Sequence, residues 1–202
     1  KLTKFEGKGY TDTHAYLLGL WLAEGSSGDS RVTVHHELSE ILQKEVEKLG
    51  YELVVVTEDT HCTTYNIKGG FYKWLRLNNL LNNKHFPSWL LDCDRNTRIE
   101  ALSGYLDGDG YVHHNGYEVV AKQKDLSDTF ITLCKSLGLR TSQREVTKRS
   151  QNNFEGVYHN ALVYGDTWLL NLRLARKQTV QSAKQPTGNT AITIEKLGVD
   201  TY

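Results

Sequence analysis

Two stretches of the chain are apolar on nearly every side. Thr11–Ala23 gathers Leu17, Leu18, Leu20, Trp21 and Leu22, with Asp12 or Thr13 in position to cap a helix. A helix apolar all round is a buried helix. Thr97–Leu106 reads as a second helix of the same kind. Around these two, the periodicities alternate. After the first come the turn "SSGDS" and the alternating strand "RVTVHH" within Gly25–His36. An amphipathic helix over Ser39–Leu49 follows, stopped by Gly50. The strands "YELVVVTE" and "TTYNIKG" and a short helix over Phe71–Leu81 complete this half. After the second apolar helix, "YVHH" and "YEVVAKQ" flank the dipeptide "NG", a strong hairpin signal. A helix over Leu126–Leu137 is stopped by Gly138, the strands "RTSQREVTKR" and "GVYHNALVYG" follow, and Thr167–Ala175 reads as a last helix.

The order of elements therefore occurs twice: helix, two strands, helix, two strands, helix. The landmarks pair as Gly25 with Gly110, Gly50 with Gly138 and Trp74 with Trp168, at offsets of 85, 88 and 94 residues. An offset that grows slowly means loop insertions within a matched order. The expected fold is α+β, built from two pseudo-symmetric αββαββα halves at residues 1–92 and 93–184. The apolar helices form the natural axis. Gly19 in one and Ser103-Gly104 in the other are small enough to let two helix backbones approach closely.

Such a crossing carries the two helix ends to one place, and both ends are acidic. "LLGLWLAEG" (Leu17–Gly25) and "LSGYLDGDG" (Leu102–Gly110) have the same length, with an acid in the eighth place and glycine in the ninth. A helix C-terminus repels carboxylates, and two carboxylates forced together repel each other. A divalent cation resolves both conflicts. Mg²⁺ takes oxygen ligands and keeps room for water and phosphate, and a metal so placed serves phosphodiester hydrolysis. Glu24 and Asp109 are the candidate ligands.

Charge refines this reading. The chain has 24 basic and 24 acidic residues, which excludes an all-over basic protein. The distribution is uneven: Lys1–Thr60 carries six basic against eleven acidic residues, and Ala121–Lys184 eleven against five. Asymmetry of this kind suits either a surface that faces a polyanion or helix faces solvated by their charges, and charge alone does not choose between them. Three cysteines, Cys62, Cys93 and Cys134, without CxxC spacing, suit a reduced intracellular protein better than a disulfide scaffold or zinc site. No apolar run is long enough to span a bilayer.

The paired nonapeptides resemble the two signature helices of the LAGLIDADG homing endonucleases, and the likeness covers nearly the whole chain. "NKHFPSWLL" (Asn83–Leu91) resembles the K-x-x-P block of members encoded in inteins, and the nearest general likeness is to the yeast vacuolar-ATPase type. The tail at 185–202, with "ITIEKLGVDTY", is similar to the entry of an intein C-terminal splicing segment. The resemblance implies a site-specific double-strand cut at a long DNA target by an excised, monomeric endonuclease domain. It would be intracellular, and nuclear in a eukaryotic host. Mg²⁺, replaceable by Mn²⁺, would be held by Glu24 and Asp109 with helix-end carbonyls at Gly25 and Gly110. One lysine per half, Lys84 and Lys177, would stand near the reactive water or phosphate; the distances from Trp74 and Trp168 agree, at 10 and 9 residues.

DNA contact is expected from the strands, since a two-stranded ribbon fits the major groove. The candidates are Arg31, His35, His36 and Lys68 in the first half. In the second they are Lys122, Gln123, Lys124, Arg140, Gln143, Arg144, Lys148 and Arg149. Two rival readings share the fold and lack the DNA cut: a catalytically inactive DNA-binding domain, and a maturase-like RNA-binding protein.

Overall fold

The computed structural model describes residues 8–113, 116–149 and 155–174. Within them the chain runs α1 (Ala15–Glu24), β1 (Arg31–His35), α2 (His36–Lys48), β2 (Glu52–Glu58), β3 (Cys62–Lys68) and α3 (Phe71–Leu77), followed by a 3₁₀ turn at Ser88–Asp92. The second half has α4 (Arg95–Asp109), β4 (Tyr111–His113), β5 (Gly116–Ala121), α5 (Lys124–Ser136), β6 (Arg140–Arg149), β7 (Glu155–Tyr164) and a 3₁₀ turn at Thr167–Leu169. Two antiparallel sheets result, with orders β1-β3-β2 and β4-β5-β7-β6. The shared order, in which the last strand of each half lies between two earlier ones, is the expected pseudo-symmetry.

The axis is the pair α1 and α4. Eight residues of α1 are buried, Ala15 through Leu22, and Ala101, Leu102, Tyr105 and Leu106 of α4 join the same core. Gly19 and Gly104 make the crossing possible. A Cβ on Gly19 would lie 2.0 Å from the Ala101 carbonyl oxygen, and one on Gly104 would lie 2.1 Å from that of Tyr16. The neighbouring Ser103 ties α4 to the chain after β7, because its hydroxyl donates to the Ile99 carbonyl and accepts the Asn171 N–H. Helices α2 and α5 cover one face of their sheets. Gly50 and Gly138 end them at φ +72° and +81°, the left-handed conformation a glycine adopts without strain.

Several element boundaries differ from expectation for identifiable reasons. Helix α1 begins at Ala15, since the Asp12 carboxylate accepts the His14 N–H and closes a turn instead of capping the helix from position 12. His36 belongs to α2, because the ring of His35 accepts the Glu37 N–H and starts the helix there. The first half lacks the strand that matches β4; the bridge Gly25–Val32 is what remains of it. Trp21 holds the turn in that place, its indole donating to the Asp29 carbonyl. Helix α3 ends at Leu77, before Asn79 at φ +55°. Of the helix expected over Thr167–Ala175, the described residues form only a 3₁₀ turn at Thr167–Leu169. The N–H groups that would continue it are taken by α4: Arg173 and Leu174 donate to the Asp107 carboxylate at 2.7 and 3.2 Å.

The described cysteines are free thiols; Cys93 and Cys134 are buried and Cys62 is half-buried. Among the described residues no helix is long and apolar enough to cross a membrane.

Candidate active site

Helices α1 and α4 run to the acids themselves, with Glu24 and Asp109 as their last residues. Both then leave the helix in the same manner. Gly25 and Gly110 turn to extended backbone and donate their N–H groups to the Trp21 and Leu106 carbonyls, at 2.8 and 3.0 Å. Neither glycine tolerates a side chain: an added Cβ would sit 2.4 Å from the Trp21 oxygen or 2.5 Å from that of Leu106. The crossing brings the ends together. A Cβ on Gly108 would lie 2.4 Å from the Ala23 Cβ and 3.2 Å from the Glu24 Cγ, so the helix turn that carries Asp109 rests on the one that carries Glu24.

Lys84 reaches this place from the segment of the first half that follows α3. Its ammonium donates to the Leu22 and Gly25 carbonyls at 3.0 and 2.6 Å and lies 5.1 Å from the centre of the Trp21 ring. A cation at the C-terminus of α1 is where the helix dipole favours one. Burial pushes the pKa of this ammonium down to about 8, against the upward pull of the Asp109 and Glu24 charges. A cavity of about 200 Å³ opens here, lined by Gly25, Ser27, Lys84, Tyr105, Asp109 and Gln123, among others. The site is composite: Lys84 and Gly25 come from the first half, Asp109 and Gln123 from the second.

Lys122 lines the same cavity. Lys124 opens α5 and pairs with Asp128. On the first sheet Arg31 is held by Asp29 at 2.7 Å. With Lys68 it borders a second cavity of about 430 Å³. His35 caps α2, and His36 is exposed in its first turn. Arg140 and Arg144 share one face of β6, and Arg140 stacks on Tyr164. Gln143 stands on the opposite face and donates to Ser127 and Asp128. It therefore braces α5 and does not line the open face of the sheet. Lys148 and Arg149 lie in β6 opposite Gly156 and Glu155. Lys177 lies outside the described residues.

Sequence reasoning missed one buried assembly. Asp107 is wholly buried and accepts from the Tyr16 hydroxyl at 2.7 Å as well as from the two backbone N–H groups. Arg173 stacks on Tyr16 at 3.5 Å from the ring centre and pairs with Glu45 of α2 and Glu100 of α4. The assembly ties both halves to the segment after β7. The one signal for it in the sequence is the acid at Asp107 where the first helix has Leu22.

Two antiparallel sheets flanking a crossed helix pair with acidic C-terminal ends is the architecture of the LAGLIDADG homing endonucleases, and this chain has that fold. Residues 96–170, from α4 to the last 3₁₀ turn, match the family model of the LAGLIDADG-like domain. Among solved structures, variants of the homing endonuclease I-DmoI superpose with a TM-score of 0.52 at 18% identity, covering 75% of this chain and 87% of that one. An I-DmoI variant in complex with its target DNA in 2 mM Mg gives 0.51 at 18% identity, over 75% and 88% of the two chains. The ATP-dependent DNA helicase Hel308 of Thermococcus kodakarensis is 31% identical over 110 residues, 48% of this chain. The match spans 10% of the length of that helicase.

Proposed function

We propose that the protein is a site-specific DNA endonuclease that cuts both strands of a long duplex target with Mg²⁺, or Mn²⁺ in its place. One observation carries the reading: the crossing at Gly19 and Gly104 sets two acid-ended helices side by side, next to the ammonium of Lys84. Solved I-DmoI complexes contain target DNA with Mg or Mn, which supports the substrate and the metal. The donor set fits a hard cation, being two carboxylates with helix-end carbonyls. Among the described residues no group of three or more His, Cys, Asp or Glu could hold a metal. Mg²⁺ commonly uses one or two carboxylates and completes its shell with water and phosphate.

Glu24 and Asp109 would hold the metal with the Gly110 carbonyl beside them, and the Gly25 carbonyl would join them once Lys84, from which it accepts in the metal-free protein, turns to the phosphate. A divalent cation held by these residues would supply Lewis-acid chemistry for phosphodiester hydrolysis. Lys84 supplies a cation for the phosphate, and the repeat assigns the same role to Lys177, which lies outside the described residues. The open sheet faces, with Arg31, Lys68, Arg140 and Arg144, grip the major groove on either flank. The duplicated halves within one chain favour action as a monomer. Origin as an embedded segment, as in an intein, and action inside the cell are part of this proposal and rest on the resemblance of the sequence motifs.

Asp109→Asn tests the proposal. It keeps the shape of the side chain and removes its charge. Duplex binding should persist within about threefold while strand cleavage falls by at least ~100-fold, the scale of losing a stabiliser of transition-state charge. A variant that cuts both strands at the normal rate refutes the metal-ligand role.

A further inference from the structure

The open face of the second sheet carries an acid where a polyanion would lie. Along β5, Tyr117, Val119 and Ala121 face the core, all nearly inaccessible. Glu118 and Val120 therefore face the other way, by the two-residue period of a strand. On β7, Ala161 and Val163 are core residues, which puts Asn160 on the open face with Glu118. Asn160 pairs with Val120 on one side and with Arg144 on the other. Its amide nitrogen donates to the Glu118 carboxylate. Since a carboxylate only accepts, that bond fixes which end of the amide is which. The remaining end, Oδ1, is buried and has no hydrogen-bond partner, although Arg144 stands opposite; Asn160 as a whole is 4% exposed. A buried acceptor without a donor is uncommon in a folded protein.

We infer that Glu118, held in place by Asn160, is a base-reading acceptor that selects an amino-bearing base, cytosine first, in the major groove facing the second sheet. This rests on the proposal that the protein grips duplex DNA. The cytosine N4 amino group is the groove donor a carboxylate matches, and guanine presents only acceptors at its major-groove edge. Glu118 is the partly exposed member of the pair; Asn160 behind it is a positioning residue. The arrangement also explains an acid on a basic face. Phosphates would repel Glu118, with Arg144 and Lys122 nearby to hold them, so its gain must come from a base edge. On β1 of the first sheet the exposed positions are Arg31, Thr33 and His35, and the exposed acid Glu52 of β2 stands opposite Lys68 at the end of that sheet.

The test uses the full chain with Ca²⁺ in place of Mg²⁺ and a duplex library randomised across the target, sequenced before and after capture. Wild type should prefer C·G at one position in the arm that binds the second sheet. Glu118→Gln keeps an acceptor for Asn160 and so keeps the fold. It should reduce that preference at least about fivefold, the lower end of a specific base contact, and leave other positions unchanged. Replacing the preferred cytosine by N4-methylcytosine, which keeps its pairing hydrogen and loses the groove-facing one, should weaken wild type and leave Glu118→Gln unaffected. If Glu118→Gln retains every base preference of wild type, or the methylated base binds wild type normally, the inference is overturned. If wild type enriches no sequence at all, the proposal of duplex recognition fails, and this inference with it; the two failures are thus told apart.

Discussion

Gly104→Ala is the sharpest probe of the helix crossing on which the site depends. The added Cβ would lie 2.1 Å from the Tyr16 carbonyl oxygen and 3.0 Å from the Leu20 N. Both are backbone atoms of α1 and cannot rotate away. Bringing the closer contact to ordinary distance needs a displacement of roughly 1 Å between the helices, and overpacking of this kind costs about 1–3 kcal/mol. For a chain of this size that is a fall of about 3–10 °C in Tm. The same shift acts on Glu24 and Asp109, which end the two helices. A misplacement of about 1 Å can cost ~100-fold in rate, so cleavage should fall further than the loss of folded protein accounts for. Differential scanning calorimetry measures the first effect, and plasmid cleavage well below the variant's Tm the second. Gly28→Ala is the control, because the nearest atom to its Cβ would be the Asn82 Oδ1 at 3.6 Å; it should stay within about 0.5 kcal/mol of wild type. If Gly104→Ala melts within about 1 °C of wild type and cuts normally, the close crossing is not what assembles the site.

Three further outcomes are expected. Burial holds the pKa of folded Lys84 at about 8 against an unperturbed 10.5, so the unfolded chain binds more protons between these values; in the metal-free protein stability should rise through that window. A urea-midpoint series in which Lys84→Met shows the same rise would contradict this. Removing Arg140 and Arg144 together should reduce the slope of log Kd against log salt by about 2, near 0.9 per lost phosphate contact. Fluorescence anisotropy with an unchanged slope places the grip elsewhere. At limiting Mg²⁺ the unequal acids Glu24 and Asp109 should fill unequally, so that nicked plasmid precedes linear product; strand-specific labels showing equal rates from the start would count against this.

The repeat and the acidic pair are legible in residue order alone. Local signals suffice for these: all-round apolarity marks the two axis helices, and the matched glycines at Gly25 and Gly110 fix the places where they stop. The amphipathic helices ending at Gly50 and Gly138, and the strand hairpin at β4–β5, can be read for the same reason. Ends set by distant groups cannot. The segment after Thr167 has helical spacing, yet the Asp107 carboxylate takes its backbone donors, and that competition exists only once the chain is folded. Gln143 reads like Arg144 in the sequence; strand parity turns it to α5. Lys84 is one lysine among many until burial against the end of α1 lowers its pKa and sets it beside Asp109. The pairing of Glu118 with Asn160 joins two strands far apart in the chain, and no local pattern foretells it. Residue type and period decide which elements form. Only packing decides which of their polar groups meet, because partners for a buried donor or acceptor are found across the fold.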